Sequence, residues 1–181
     1  SEKISRTVPE WDKDKCTLCG QCKEICKFNA LAQLPEQILI FPELCHSCFA
    51  CIDLCPGKAL LPIKREIGTL SHFISKELNL IESTLVVGEP SGVPLIAQTK
   101  EYLKNNFNEE SVFILDCPPG NSCPVIESVR GSDFVVLVTE PTPYGLSDLI
   151  IAIKTIQKLE INFGVIINKA LSNKNLLRKY C

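Results

Sequence analysis

Eight cysteines fall between Cys16 and Cys55 in two runs, Cys16-x2-Cys19-x2-Cys22-x3-Cys26 and Cys45-x2-Cys48-x2-Cys51-x3-Cys55, the second followed by Pro56. Three thiolates spaced two residues apart wrap one corner-sharing iron–sulfur cube from a tight loop. The fourth, three residues on, is expected to begin a helix that points away and so reaches a second cube. One [4Fe-4S] cluster is therefore expected on Cys16, Cys19, Cys22 and Cys55, and another on Cys45, Cys48, Cys51 and Cys26. Structural zinc also uses CxxC pairs, but not two such four-cysteine runs.

The runs are copies of one unit. CTLCGQCKEICKFNAL starts at Cys16 and CHSCFACIDLCPGKAL at Cys45, an offset of 45 − 16 = 29 residues, and Ala30-Leu31 and Ala59-Leu60 close them alike. This section resembles a two-cluster bacterial ferredoxin domain. It departs at Lys27, where Pro56 of the second run has no counterpart; that loosens a turn and removes no ligand. Gly20 is expected to let the first loop pass close to its cluster, and Phe49, its counterpart, to fill core in preference to screening a cluster from water. His46 is read as a hydrogen-bond donor or a solvent-facing side chain, and Lys13, Lys15, Lys23 and Lys27 as solvated surface.

A second kind of chemistry is written in LDCPPGNSCPV, Leu115 to Val125, where Asp116 closes an apolar run and Gly120 follows. In nucleotide switches an aspartate at a strand end holds the water shell of a magnesium ion, and a following glycine offers its N–H to the terminal phosphate. Prolines also simply stop strands. Cys117 and Cys123 flank the loop; they read as small packed residues in preference to redox or metal ligands.

These residues need elements to position them. From Thr84 on, apolar runs alternate with helical periodicity: TLVVGE; PLIAQTKEYLKNN, with Leu95, Ile96, Tyr102 and Leu103 at helical spacing; SVFILD; FVVLVTE, from Phe134 to Glu140; SDLIIAIKTIQKLE; and FGVIINK. In SDLIIAIKTIQKLE, Leu149, Ile150, Ile153, Ile156 and Leu159 share a face behind Ser147 as N-cap. Such alternation predicts βαβ units and a buried parallel sheet. Ligands of such sheets sit at the C-terminal strand ends, where Asp116, Glu140 and Asn168 lie. QILIFPELC predicts a short strand leading into the second cysteine loop. The expected division is a cluster domain over 9–63, a connecting hairpin over 64–83 and an α/β domain over 84–181.

Composition bounds the classes. The 181 residues are 45% hydrophobic and 22% charged, the globular range. A net charge of −2 argues against a nucleic-acid partner or an anionic-membrane surface. No apolar run approaches membrane-spanning length, and SEKISRTVPEWDKDKC lacks the apolar core of a secretory signal. A cytoplasmic location is expected, so the 11 cysteines are not read as the disulfides of an exported domain. There is no methionine, and the sequence is expected to be a cut or processed form.

In combination, the cysteine section, VVGEPSGVPLI, FILDCPPGNSCPVIESVRGSDFVVLVTEPTPYGLSDL and FGVIINK resemble the MinD-like P-loop ATPases that carry an inserted ferredoxin domain, from about Val8 to Lys169. The resemblance implies an α/β fold. Its parts are a parallel-sheet MinD-like (SIMIBI-type) P-loop domain, incomplete here, and a small α+β bacterial-ferredoxin-like domain. It implies that Asp116 is the catalytic, magnesium-side aspartate, that Gly120 is the switch glycine, that Asn168 contacts the adenine edge and that Thr139 to Gly145 lies over the nucleotide. It further implies ATP and Mg2+ as cofactors and a homodimer when nucleotide is bound. Neither G-x-x-x-x-G-K-[ST] nor a Lys-Gly-Gly variant is present, and GEPSGVP, Gly88 to Pro94, has the glycines without a lysine. ATP hydrolysis is therefore expected only where an upstream segment or another chain supplies that loop, together with a central strand.

The expected function couples ATP binding to electron transfer or to iron–sulfur and metal-cluster handling, with a redox partner or client metalloprotein. The alternatives are a plain electron carrier on a nucleotide-inactive scaffold and a non-enzymatic metalloprotein assembly or regulatory factor.

Overall fold

A computed structural model describes residues 1–170 except Glu77 and Glu109. The chain divides into two compact units, Ser1–Thr99 and Lys100–Cys181, of mixed α/β structure with small sheets.

In the first unit, β1 (Glu2–Trp11), β4 (Leu60–Ser75) and β5 (Leu78–Leu85) form an antiparallel sheet in the order β1-β4-β5. The alternation of β1 buries Ile4, Arg6 and Val8 on one face. An arginine among inward positions is exceptional. The segment 64–83 lies in the β4–β5 hairpin, which is thus part of this sheet. α3 (Val93–Asn106) starts close against the sheet, since a Cβ at Gly68 would come within 2.6 Å of Leu95 Cδ1.

Between β1 and β4 lie the two cysteine loops. The first carries α1 (Gln21–Ile25), the second α2 (Ala50–Asp53). β2 (Leu31–Gln33) pairs antiparallel with β3 (Ile38–Ile40), and β3 leads through a 3-10 turn at Pro42–Leu44 into Cys45. Leu31, Ile38, Cys51 and Leu60 form the core beneath the loops, with Trp11, Cys16, Cys22 and Cys26 packed on it. The helices correct one expectation. Cys22 and Cys51 lie inside α1 and α2, while Cys26 and Cys55 follow them instead of opening a helix. The short helix, not a departing one, carries each chain from its third cysteine to its fourth.

The second unit contains α4 (Cys123–Val129), β6 (Phe134–Thr139), α5 (Pro143–Lys158) and β7 (Asn162–Ile167). β6 and β7 pair in parallel, with α5 as the crossover, and Leu149, Ile153 and Ile156 of α5 are buried. α5 begins earlier than expected. Its N-cap is Thr142, not Ser147: Thr142 Oγ1 accepts from the Gly145 N–H at 3.0 Å. The expected parallel sheet is represented among the described residues by this one strand pair. SVFILD does not form a strand, and Val112 and Ile114 are 90% and 94% exposed. A strand exists through its neighbour's hydrogen bonds, and no described strand pairs with this run. Lys100 Nζ donates to the carbonyls of Glu127 (2.9 Å), Ser128 (3.2 Å) and Arg130, closing the C-terminal turn of α4.

Candidate metal centre

The two cysteine loops repeat at the level of the backbone. Leu18 and Ser47 take left-handed conformations (φ 54° and 53°), as do Gly20 and Phe49 (80° and 63°) and Asn29 and Lys58 (54° and 49°), each pair 29 residues apart. Glycine adopts such a φ freely, whereas a bulky residue does so only when its surroundings hold it there. In both copies the left-handed turn bends the chain around the place where the thiols converge.

Backbone amides aim at the sulfurs in the same repeating pattern. Leu18 N–H donates to Cys16 Sγ and Ser47 N–H to Cys45 Sγ, both at 3.4 Å. Ala30 N–H donates to Cys26 Sγ and Ala59 N–H to Cys55 Sγ, both at 3.3 Å. Amide donors stabilise thiolate and cluster sulfur alike.

Each loop faces a cavity that draws cysteines from both runs. One cavity is lined by Cys16, Cys19, Cys22 and Cys55, the other by Cys26, Cys45, Cys48 and Cys51. Among the described residues, no three Cys, His, Asp or Glu side chains converge tightly enough to hold a single metal ion. Zinc needs its thiolates about 2.3 Å from one centre, whereas a four-iron cube spreads them around a larger body. The donor set, four cysteines drawn from both runs around each cavity, fits an iron–sulfur cluster. Burial raises the Cys22 thiol, and burial together with the neighbouring Cys45, Cys26 and Cys48 pushes Cys51 up to about 11. Four thiolates so close together need a positive partner to stay ionised.

Two neighbours weighed in the sequence take other places, and a third, Arg6, went unmarked there. His46 stacks on Phe28, ring centroids 3.9 Å apart and 15° from parallel, beside the second cavity. Phe49, expected to fill core, is 43% exposed and lines that same cavity. Arg6 reaches the second loop from β1: its guanidinium donates to the carbonyls of Cys45 and Pro42, the latter at 2.8 Å. Glu89 answers this charge, 3.0 Å from Arg6 Nη2 and 2.9 Å from Arg65 Nη2, and Arg65 also meets Glu43 at 3.0 Å. Arg6 and Arg65 are direct cross-strand partners. Like charges so placed repel, so Glu89 holds this register together. The one trace of the network in sequence is the arginine at an inward position of β1.

The residues expected to contact nucleotide lie in the second unit. Asp116 is exposed, and Gly120 is left-handed (φ 95°) with open space beside it. Asn168 follows β7, where its N–H bonds to the Thr139 carbonyl at 2.7 Å and its side-chain oxygen accepts from Lys169 N–H at 2.9 Å. Lys169 pairs with Glu140 at 2.6 Å. Asn168, Thr139 and Glu140 are thus gathered at the C-terminal ends of β6 and β7. Cys117 packs against the core of Val129, Val135 and Ile156, and burial raises its thiol. Cys123, at the start of α4, is exposed.

Cysteine-lined cavities under repeated left-handed turns, with amides aimed at the sulfurs, define an iron–sulfur domain of the ferredoxin type. The family described as a 4Fe-4S binding domain matches residues 8–31. A ferredoxin of Alicyclobacillus acidocaldarius is 32% identical over 64 residues, 35% of this chain and 82% of its own length. The chain belongs to the ferredoxin family through this domain, a ferredoxin-like electron-carrier module. Similarity runs further in two uncharacterised proteins of Methanocaldococcus jannaschii. One is 33% identical over 169 residues, 93% of this chain, and the other 30% over 146 residues, 80% of it. The chain spans only 58% and 52% of these two relatives' lengths. Among the described residues no helix is long and apolar enough to cross a membrane.

Proposed function

We propose that the cysteine domain holds two [4Fe-4S] clusters, one on Cys16, Cys19, Cys22 and Cys55 and the other on Cys26, Cys45, Cys48 and Cys51, and relays electrons to a redox partner. The observation that carries this reading is the mixing of the two runs, three cysteines of one with the fourth of the other, in each cavity. The clusters supply one-electron chemistry. The chain supplies the thiolates, the amide donors and the apolar floor of Leu31, Ile38 and Leu60. The test is iron and acid-labile sulfide analysis after anaerobic reconstitution, joined to EPR of Cys55→Ser. Eight irons per chain are expected, with Cys55→Ser damaging the cluster of the Cys16 loop. Stoichiometric zinc with negligible iron refutes the reading, and loss of the other cluster refutes the crossed assignment.

The finer proposal is that the second unit belongs to a MinD-like ATP module whose nucleotide state controls this electron delivery or a metal-cluster handling step, in a homodimer. What supports it is the sequence resemblance, the parallel β6-α5-β7 unit, and the gathering of Asn168 and the Thr139–Gly145 loop at one strand edge. Asp116 would organise the magnesium shell. Backbone cradle and lysine normally supply phosphate affinity, so the 181-residue chain is expected to bind ATP–magnesium weakly. A form extended by a native glycine-rich loop is expected to bind tightly, and Asp116→Asn in it to impair hydrolysis more than binding. Calorimetry and phosphate release decide; full hydrolysis by that variant removes Asp116 from the mechanism.

A further inference from the structure

Ser47 Oγ is buried and has no hydrogen-bond partner, and Ser47 lines the cavity of Cys26, Cys45, Cys48 and Cys51. A buried hydroxyl left unpaired is costly, and each instance needs a reason. Backbone geometry does not supply one. The repeat-equivalent position, 47 − 29 = 18, is Leu18, with the same left-handed φ and the same N–H donation to the cysteine two residues before it. The two turns are thus backbone copies in which a leucine of the first loop is a serine in the second, so the hydroxyl is present only in the second. The cavity around Ser47 is otherwise largely apolar, with Phe28, Ala30, Leu31 and Phe49 in its lining. Of the other polar side chains close to this loop, Arg6 is already engaged by Glu89 and two carbonyls, His46 stacks on Phe28, and Thr7 also lines the cavity.

Resting on the two-cluster reading, we propose that Ser47 donates its O–H to a sulfur of the cluster on the Cys45 loop and so sets that cluster's reduction potential above that of the Cys16 loop. One electron, taken from an external reductant such as dithionite, converts the cluster from its 2+ to its 1+ form and adds negative charge to its sulfurs. A donor aimed at sulfur therefore favours the reduced form. The electron rests preferentially on the cluster of the Cys45 loop, and Ser47 is the positioning residue that biases it there.

The test is an EPR-monitored potentiometric titration of the reconstituted full chain, with iron and sulfide counted first. Ser47→Ala is expected to make one cluster, and not the other, about tenfold less reduced at a fixed potential, equal to about 59 mV for one electron. Ser47→Thr, which keeps the hydroxyl, is expected to restore the wild-type value. Leu18→Ser is expected to raise the other cluster, and it decides the matter where Ser47→Ala fails to hold iron. Full iron with unchanged potentials in Ser47→Ala, or equal shifts of both clusters, overturns the inference while leaving the two-cluster reading intact. A wild-type chain that binds no iron overturns both.

Discussion

Replacing Glu89 by glutamine removes one charge and almost no volume, which makes it a clean probe of the network over the second cysteine loop. The Arg6 and Glu89 side chains are only 7% and 3% exposed, whereas Arg65 is 31% exposed. Removing one member of a buried ion pair strands the other charge at a cost of about 3–5 kcal/mol. Here the stranded group is Arg6, directly across the sheet from Arg65, and its Nε is already buried without a partner. Glu89→Gln is therefore expected to destabilise the first unit by about 3–5 kcal/mol. Arg65→Gln removes a partly solvated cation and is expected to cost about 1 kcal/mol or less. Arg6→Lys is not a conservative change, because one ammonium lacks the planar fork that reaches two carbonyls and a carboxylate together.

For a domain of this size each kcal/mol lowers the melting temperature by roughly 4–8 °C, so Glu89→Gln should fall by at least about 12 °C. Trp11, the single tryptophan, packs on the core beneath the cysteine loops and reports their unfolding by fluorescence. Because Arg6 also clamps the Pro42 and Cys45 carbonyls, visible absorbance of the loaded protein should bleach early in the same variant. Arg6→Met combined with Glu89→Met leaves no stranded charge and should recover much of the loss. A Glu89→Gln cost no larger than that of Arg65→Gln would refute the argument, since it would mean that solvent reaches and screens the pair.

Lys100→Met is expected to destabilise the second unit by about 1–3 kcal/mol, because it leaves the Glu127, Ser128 and Arg130 carbonyls without their donor; urea unfolding followed by circular dichroism measures it. Gly145→Ala should cost a similar amount, about 1–3 kcal/mol from overpacking, since the new Cβ would collide with the backbone carbonyl of Glu140 and sit 3.0 Å from Thr139 Oγ1 and 3.2 Å from Thr142 Oγ1, the N-cap of α5. Iodoacetamide at mildly alkaline pH should modify exposed Cys123 well before half-buried Cys117, whose thiol burial keeps protonated; peptide mass spectrometry reads the order, and equal rates would remove Cys117 from the core.

The cysteine chemistry was legible because ligand spacing is a local property. Two thiolates three positions apart on one turn remain neighbours however the rest folds, and the 29-residue offset carried the backbone repeat with it. α5 was legible for the same reason, as Leu149, Ile153 and Ile156 fall on one face by helical period alone. Its start was not. Ser147 and Thr142 are both sound capping residues, and the choice of Thr142 depends on Gly145 packing close to Thr139 and the N-cap, which no period records.

Contacts between distant segments were not legible. Arg6 is 83 positions from Glu89 and 36 from Pro42, and nothing near any of these residues marks the others. The register that sets Arg6 opposite Arg65 follows a bulge between Ile4 and Ser5, and a one-residue slip would turn Arg6 to the other face. The apolar runs failed in the opposite way. FVVLVT and SVFILD look equally like strands, yet only the first pairs among the described residues. An apolar run specifies a wish for burial; the neighbour that grants it, with its ladder of hydrogen bonds, is information held elsewhere in sequence. For that reason Val112 and Ile114 stand 90% and 94% exposed, although their side chains are those of a buried parallel strand.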